Sequence, residues 1–135
     1  MAFLDWQPGF SVNVKELDDQ HQYLVSLIND LYDAMQHGED RQALGNLISQ
    51  LVIYAAMHFA KEEDYFDRLG YPKADAHKRE HTAFEMKVTE FEDAFKSGEQ
   101  DLSIDVMNFL CNWLVGHIKG SDKQYGPFLN DRGIN

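Results

Sequence analysis

The sequence predicts an all-α fold: an antiparallel, up-down-up-down four-helix bundle with an N-terminal arm and a short C-terminal tail. Helix-stop signals cut the chain into four long segments joined by short loops, which favour antiparallel neighbours. Apolar residues recur every three or four positions through each segment, the inward stripe of a packed helix. In every segment that stripe continues into histidine or carboxylate.

The arm, Phe3 to Leu17, lacks helical periodicity, and Trp6, Pro8 and Phe10 suggest a segment packed across the bundle. The first helix, over 18–37, turns His21, Leu24, Ile28, Leu31 and Met35 inward and stops at Gly38. The second, over 41–69 with Asp40 as N-cap, carries Leu44, Ile48, Leu51, Ala55, His58, Glu62, Tyr65 and Leu69 and ends at Gly70-Tyr71-Pro72. The third, over 73–96, carries His77, His81, Phe84, Val88, Phe91 and Phe95 and ends at Ser97-Gly98. The fourth, over 102–120 with Asp101 as N-cap, carries Met107, Leu110, Leu114 and His117. Past Asp122, Gly126-Pro127 predicts departure from helical geometry.

Bulk properties narrow the function. The chain, 135 residues, reads as a single domain over 1–135, long enough to bury a core without disulfides. Twelve basic against 23 acidic side chains give a net charge of −11, which repels nucleic-acid phosphates. No polybasic patch suits an anionic membrane, and no apolar run approaches the roughly 20 residues of a span, so no stable membrane insertion is expected. MAFLDWQPGF lacks the parts of a signal peptide, and the lone Cys111 forms no intrachain disulfide; both fit a cytoplasmic location. The charge opposes self-association, which points to a monomer.

Seven polar residues stand where a bundle needs its core: His21, His58, Glu62, His77, His81, His117 and Asp122. Buried imidazole and carboxylate are costly unless compensated, and metal compensates all seven together. In antiparallel order the starts of the first and third helices and the ends of the second and fourth share one level, leaving Met35, Leu44, Ile48, Phe91, Phe95 and Met107 to fill the other. His58-x3-Glu62 and His77-x3-His81 each place two ligands one turn apart on one face. His117-x4-Asp122 does not, because five residues overshoot a full turn by about 140°. Either the helix loosens there, as Gly120 and Ser121 would permit, or Asp122 approaches from another side.

One first-row ion offers about six positions, too few for five imidazoles and two carboxylates. Two ions offer about twelve; with both carboxylates and one oxygen atom bridging, a single position stays open for a small diatomic or anion. Imidazole suits iron, zinc, copper or nickel, and bridging carboxylates with six-coordination favour iron or manganese over zinc, from which a di-iron centre is expected.

These residues resemble the hemerythrin family, specifically its single-domain bacterial members. The resemblance rests on Asp-Gln-His21, His58-Phe-x2-Glu62-Glu, Gly-Tyr-Pro72, His77-x3-His81 and Trp113-Leu-x2-His117-Ile-x3-Asp122, and spans nearly the whole chain. It implies two iron ions with a bridging oxo or hydroxo group and dioxygen as ligand. His77, His81 and His117 would hold one ion, His21 and His58 the other, with Glu62 and Asp122 bridging. It also implies an oxygen pocket lined by Leu24, Phe59, Trp113, Leu114 and Ile118. The expected function is reversible dioxygen binding for storage, delivery or buffering, without enzymatic turnover and with any protein acceptor undefined. The alternatives are a di-iron peroxidase or nitric oxide reductase, or an oxygen sensor acting through a separate partner. Around the site, His37 reads as a surface residue at a helix end, Glu63 as solvated and Cys111 as buried filler; Tyr65 and Tyr125 read equally as site support or packing.

Overall fold

The computed structural model describes residues 4–38, 40–99 and 102–135. Helix α1 spans Lys15–Gln36, α2 Asp40–Leu69, α3 Ala74–Lys96 and α4 Leu102–Trp113. A π-helical stretch, Leu114–Asp122, continues α4 and runs into α5, Lys123–Asn130. The described residues contain no strand. α2 packs against both α1 and α3, and α4 against α1, α3 and α2. Gly38, Gly70 and Gly98 all adopt positive φ just past helix ends. At Gly70 the Tyr71 amide returns to the Phe66 carbonyl at 3.1 Å, closing α2. The two predicted N-caps, Asp101 and the Asp40 side chain, lie outside the described residues.

α2 is apolar and long enough, by length and composition, to cross a membrane. Here Leu44, Ile48, Leu51, Ala55 and Phe59 turn its apolar side into the bundle, where Leu24, Ile28, Phe84, Val88, Val106 and Leu110 meet them. This main core fills the level away from the histidines. A second apolar cluster, with Val12, Val14, Leu17, Phe66, Tyr71, Tyr125 and Leu129, closes the opposite end. The polar layer is therefore sandwiched between two apolar ones, where the sequence pattern suggested one apolar level and one ligand-bearing level.

The arm crosses the bundle as expected. Phe10 is buried in the main core and Trp6 packs against it. Asn29 of α1 clasps Leu4 through two 2.8 Å hydrogen bonds. The Asp18 carboxylate accepts from the Val12 amide at 2.8 Å and the Ser11 hydroxyl at 2.6 Å, which lets α1 begin at Lys15, three residues before the predicted start.

The tail corrects the sequence reading, because residues 123–130 are helical with Pro127 inside the helix. Gly126 is not a helix stop here. A Cβ at Gly126 would lie 2.5 Å from the Val12 carbonyl oxygen, so the missing side chain is what lets the arm's backbone lie against α5. Pro127 withholds its own amide from the helix, five residues past the end of the π-helical stretch.

Candidate metal centre

The seven candidate ligands come from four helical segments and converge. His21 lies in the second turn of α1, His58 and Glu62 late in α2, and His77 and His81 early in α3. His117 and Asp122 lie on the π-helical stretch. Bonds from i to i+5 put a residue five positions on one turn away, so the two face the same point. The spacing that no regular α-helix could use is resolved by the loosening that Gly120 and Ser121 suggested.

All seven side chains are at most 3% exposed. Their ligand atoms form two overlapping groups, each within 4.8 Å: Glu62, His77, His81, His117 and Asp122; and His21, His58, Glu62 and Asp122. Both carboxylates belong to both groups. Asp122 Oδ1 lies 2.8 Å from His77 Nε2 and 2.9 Å from His117 Nε2, and its Oδ2 lies 3.1 Å from His21 Nε2. Glu62 Oε1 lies 3.1 Å from His58 Nε2 and 3.3 Å from His81 Nε2.

Which ring nitrogen faces inward is set from outside. His81 donates its Nδ1 proton to Glu63 Oε2 at 2.8 Å, His117 to Glu80 Oε1 at 2.9 Å, and His58 to Gln20 Oε1. Carboxylate and carbonyl oxygens only accept, so each Nδ1 carries the hydrogen, and each ring when neutral presents a bare Nε2 lone pair to the carboxylates. The inward atoms of His77, His81, His117, Glu62 and Asp122 are buried without a hydrogen-bond partner. Lone pairs aimed at anionic oxygens repel unless a cation lies between them, and a metal ion is the cation this donor set fits.

Without metal, protons take that role. Burial pushes the Asp122 carboxyl up, but His117 above all, with His21 and His77, holds it well below the ordinary range. Glu62 is likewise pushed up by burial and Asp122, yet His58 and His81 bring it below its usual value. Burial lowers the His117 pKa, but Asp122 outweighs it and, with Glu62 and Glu80, raises it to about 8. His58 goes the other way, lowered chiefly by burial.

Of the five predicted pocket residues, Phe59 and Trp113 stand against imidazoles. Leu24, Phe59, Leu114 and Ile118 are buried and Trp113 partly so, all within the main core. Phe59 stacks on His81 with centroids 3.9 Å apart, and Trp113 stacks on His117 at the same separation. Tyr125 is fully buried beside the site, its hydroxyl pushed well up by burial and by Glu62 and Asp122. Tyr65 is buried in the second apolar cluster and donates to Glu16 at 3.1 Å. His37 is exposed and donates Nδ1–H to the Asp33 carbonyl, and Cys111 is a partly buried free thiol.

Glu63 is corrected: it is not merely solvated but holds His81. Glu80 and Gln20 were not singled out from sequence. The three share a signal. Each sits next to a candidate ligand in the chain yet serves a ligand on the neighbouring helix, because a step of about 100° turns it toward that helix.

Residues 12–129 match the hemerythrin HHE cation binding domain family. The chain is 38% identical over 125 residues to bacteriohemerythrin of Stenotrophomonas maltophilia (strain R551-3), covering 93% of this chain and 80% of that protein. It is 35% identical over 131 residues to bacteriohemerythrin of Methylococcus capsulatus (strain Bath), covering 96% and 99%. A crystal structure of wild-type hemerythrin superposes with a TM-score of 0.84 at 35% identity, covering 93% of this chain and 97% of the other.

Proposed function

The chain belongs to the hemerythrin family, and from that premise we propose that it binds dioxygen reversibly at a pair of iron ions, for storage, delivery or local buffering. His77, His81 and His117 would hold one ion, His21 and His58 the other, and Glu62 and Asp122 would span both. The observation that carries this reading is the sharing of both carboxylates between two ligand groups, since one ion would need neither carboxylate twice. Bound there, the iron pair would supply the electrons and the open coordination position for taking up dioxygen and releasing it.

The chain's own part is positioning and exclusion. Glu63, Glu80 and Gln20 keep the Nε2 lone pairs of His81, His117 and His58 pointed inward. Phe59 and Trp113 clamp two imidazole planes by stacking. Leu24, Leu114 and Ile118 are buried in the adjoining core and would complete an apolar wall that keeps water and protons out. None of these five wall residues carries a group that titrates near neutral pH, so the wall itself supplies no general acid or base. That favours binding over peroxidase or reductase chemistry. Anaerobic reconstitution with ferrous iron, followed by cycles of oxygen and vacuum, tests it: a reversible visible absorption change over repeated cycles is expected. Irreversible conversion to the ferric form in the first cycle, or sustained turnover of peroxide or nitric oxide, would overturn it.

A further inference from the structure

We propose that the two metal positions fill in a fixed order, the His77/His81/His117 position first, because Glu63 and Glu80 back that half while only the neutral Gln20 backs the other. The proposal rests on the two-ion reading above and adds which half loads first and which residues decide it.

The asymmetry lies in the hydrogen bonds behind the ligands. His81 gives its Nδ1 proton to the Glu63 carboxylate and His117 to the Glu80 carboxylate. Glu80 is itself fixed by the Ser121 hydroxyl, which donates to Oε1 at 2.8 Å and lies 3.0 Å from Oε2. In the other half His58 meets the carboxamide oxygen of Gln20, and His21 Nδ1 is buried with no partner. An anionic acceptor draws the Nδ1 proton and makes Nε2 a stronger donor to metal; an amide does so far less. Two negative charges thus stand behind one half and none behind the other.

Access follows the same division. A polar crevice of about 210 Å³, lined by Lys73, His77, Glu80, Ser121 and Gln124, opens onto the carboxylate-backed half. The Glu80 side chain is 41% exposed, so it meets solvent while it holds His117. The Lys73 ammonium is engaged with Gln124 at 2.7 Å. The cavity over His58, about 360 Å³, is lined mainly by Tyr23, Ile53, Tyr54 and Met57, with Asp19, Gln20 and Gln50 as its polar lining. A hydrated divalent cation gives up water more readily against oxygen donors than against apolar walls, so the crevice, the more polar of the two openings, is the favoured side of arrival.

Three imidazoles against two would also favour the first half, so the test turns on Glu80 and Gln20, neither of which is a ligand. The metal-free full-length protein is titrated with zinc by calorimetry, and the imidazole nitrogens are followed by NMR. At one equivalent, His77, His81 and His117 should shift while His21 and His58 keep their metal-free positions. Glu80→Gln should weaken the first step by about 10- to 100-fold and leave the second within a few-fold. Gln20→Glu should tighten the second step by a comparable factor and leave the first unchanged. Five imidazoles shifting in parallel, or either substitution moving both steps alike, would overturn the order. Wild-type protein that takes up fewer than two zinc ions would instead overturn the two-ion reading itself.

Discussion

The two levels of the bundle are held by opposite kinds of interaction. In the main core, Leu44, Ile48, Phe91 and Met107 are buried by volume alone, and any neighbour of similar size would do. Where that level needs a polar contact, it sits at the rim: Arg41 lies 4.0 Å over the Phe95 ring and donates to the Phe95 carbonyl at 2.6 Å. One level away, each buried side chain is chosen for one atom and its direction. Dispersion is shared among many contacts, so a core change costs in proportion to what is removed. Charge at the site is not shared: removing one group strands the others. Damage at the site should therefore be abrupt, and damage in the core graded.

The sharpest break comes from Glu62→Ala. It removes a carboxylate common to both ligand groups, so metal analysis of reconstituted protein should find at most one tightly held ion per chain. Two magnetically coupled ions in that variant would show that the site does not depend on shared carboxylates.

Metal removal should be nearly as large. A ligand that binds only the folded state stabilises it by mass action, and several kcal/mol in a chain of this size corresponds to roughly 10 °C or more in Tm. The metal-free protein should also become pH-sensitive. His117 has its folded pKa raised from 6.5 to about 8, so its contribution is full below 6.5 and lost as pH rises through 8. His58, lowered from 6.5, is neutral in both states above 6.5 and acts only at lower pH. Between pH 6.5 and 8 the metal-free Tm should fall, while that of the loaded protein, with Nε2 committed to metal, should stay flat. Parallel pH profiles would mean that metal and proton do not compete for the same nitrogen.

Leu114→Ala tests where the two levels meet, since Leu114 belongs to the core and lines the predicted oxygen pocket. Truncating a buried leucine costs about 2–5 kcal/mol, and water admitted to the space should also shorten the lifetime of the oxygenated state. Loss of stability with an unchanged lifetime would make Leu114 core alone and remove it from the pocket wall.

The two levels also differed in how legible they were. Periodicity placed both the core stripe and the seven candidate ligands, because inward direction on a helix follows from spacing. It could not place Glu63, Glu80 or Gln20, whose role depends on which helix lies alongside. Nor could it choose between a loosened helix and a detour at His117-x4-Asp122, a choice made by backbone hydrogen bonding. Gly126-Pro127 misled because local propensity argues for a break, while the contact that fixes Gly126 is with Val12, far away in sequence. Gly126→Ala should accordingly destabilise by about 1–3 kcal/mol, seen as a lower denaturation midpoint, because backbone must move to admit the methyl group. An unchanged midpoint would show that the arm yields without cost.

Ile48→Val should have the smallest effect and completes the contrast. The side chain is 3% exposed and sits among Leu44, Leu51 and their neighbours, away from the candidate ligands. Losing one methylene should cost about 0.5–1.5 kcal/mol. Sites well separated and without shared partners add independently, so metal stoichiometry, the order of loading and the oxygenated lifetime should all stay at wild-type values. If this small cavity changed metal affinity, packing in the main core would be helping to set ligand positions, and the division between a graded core and an abrupt site would fail at its mildest test.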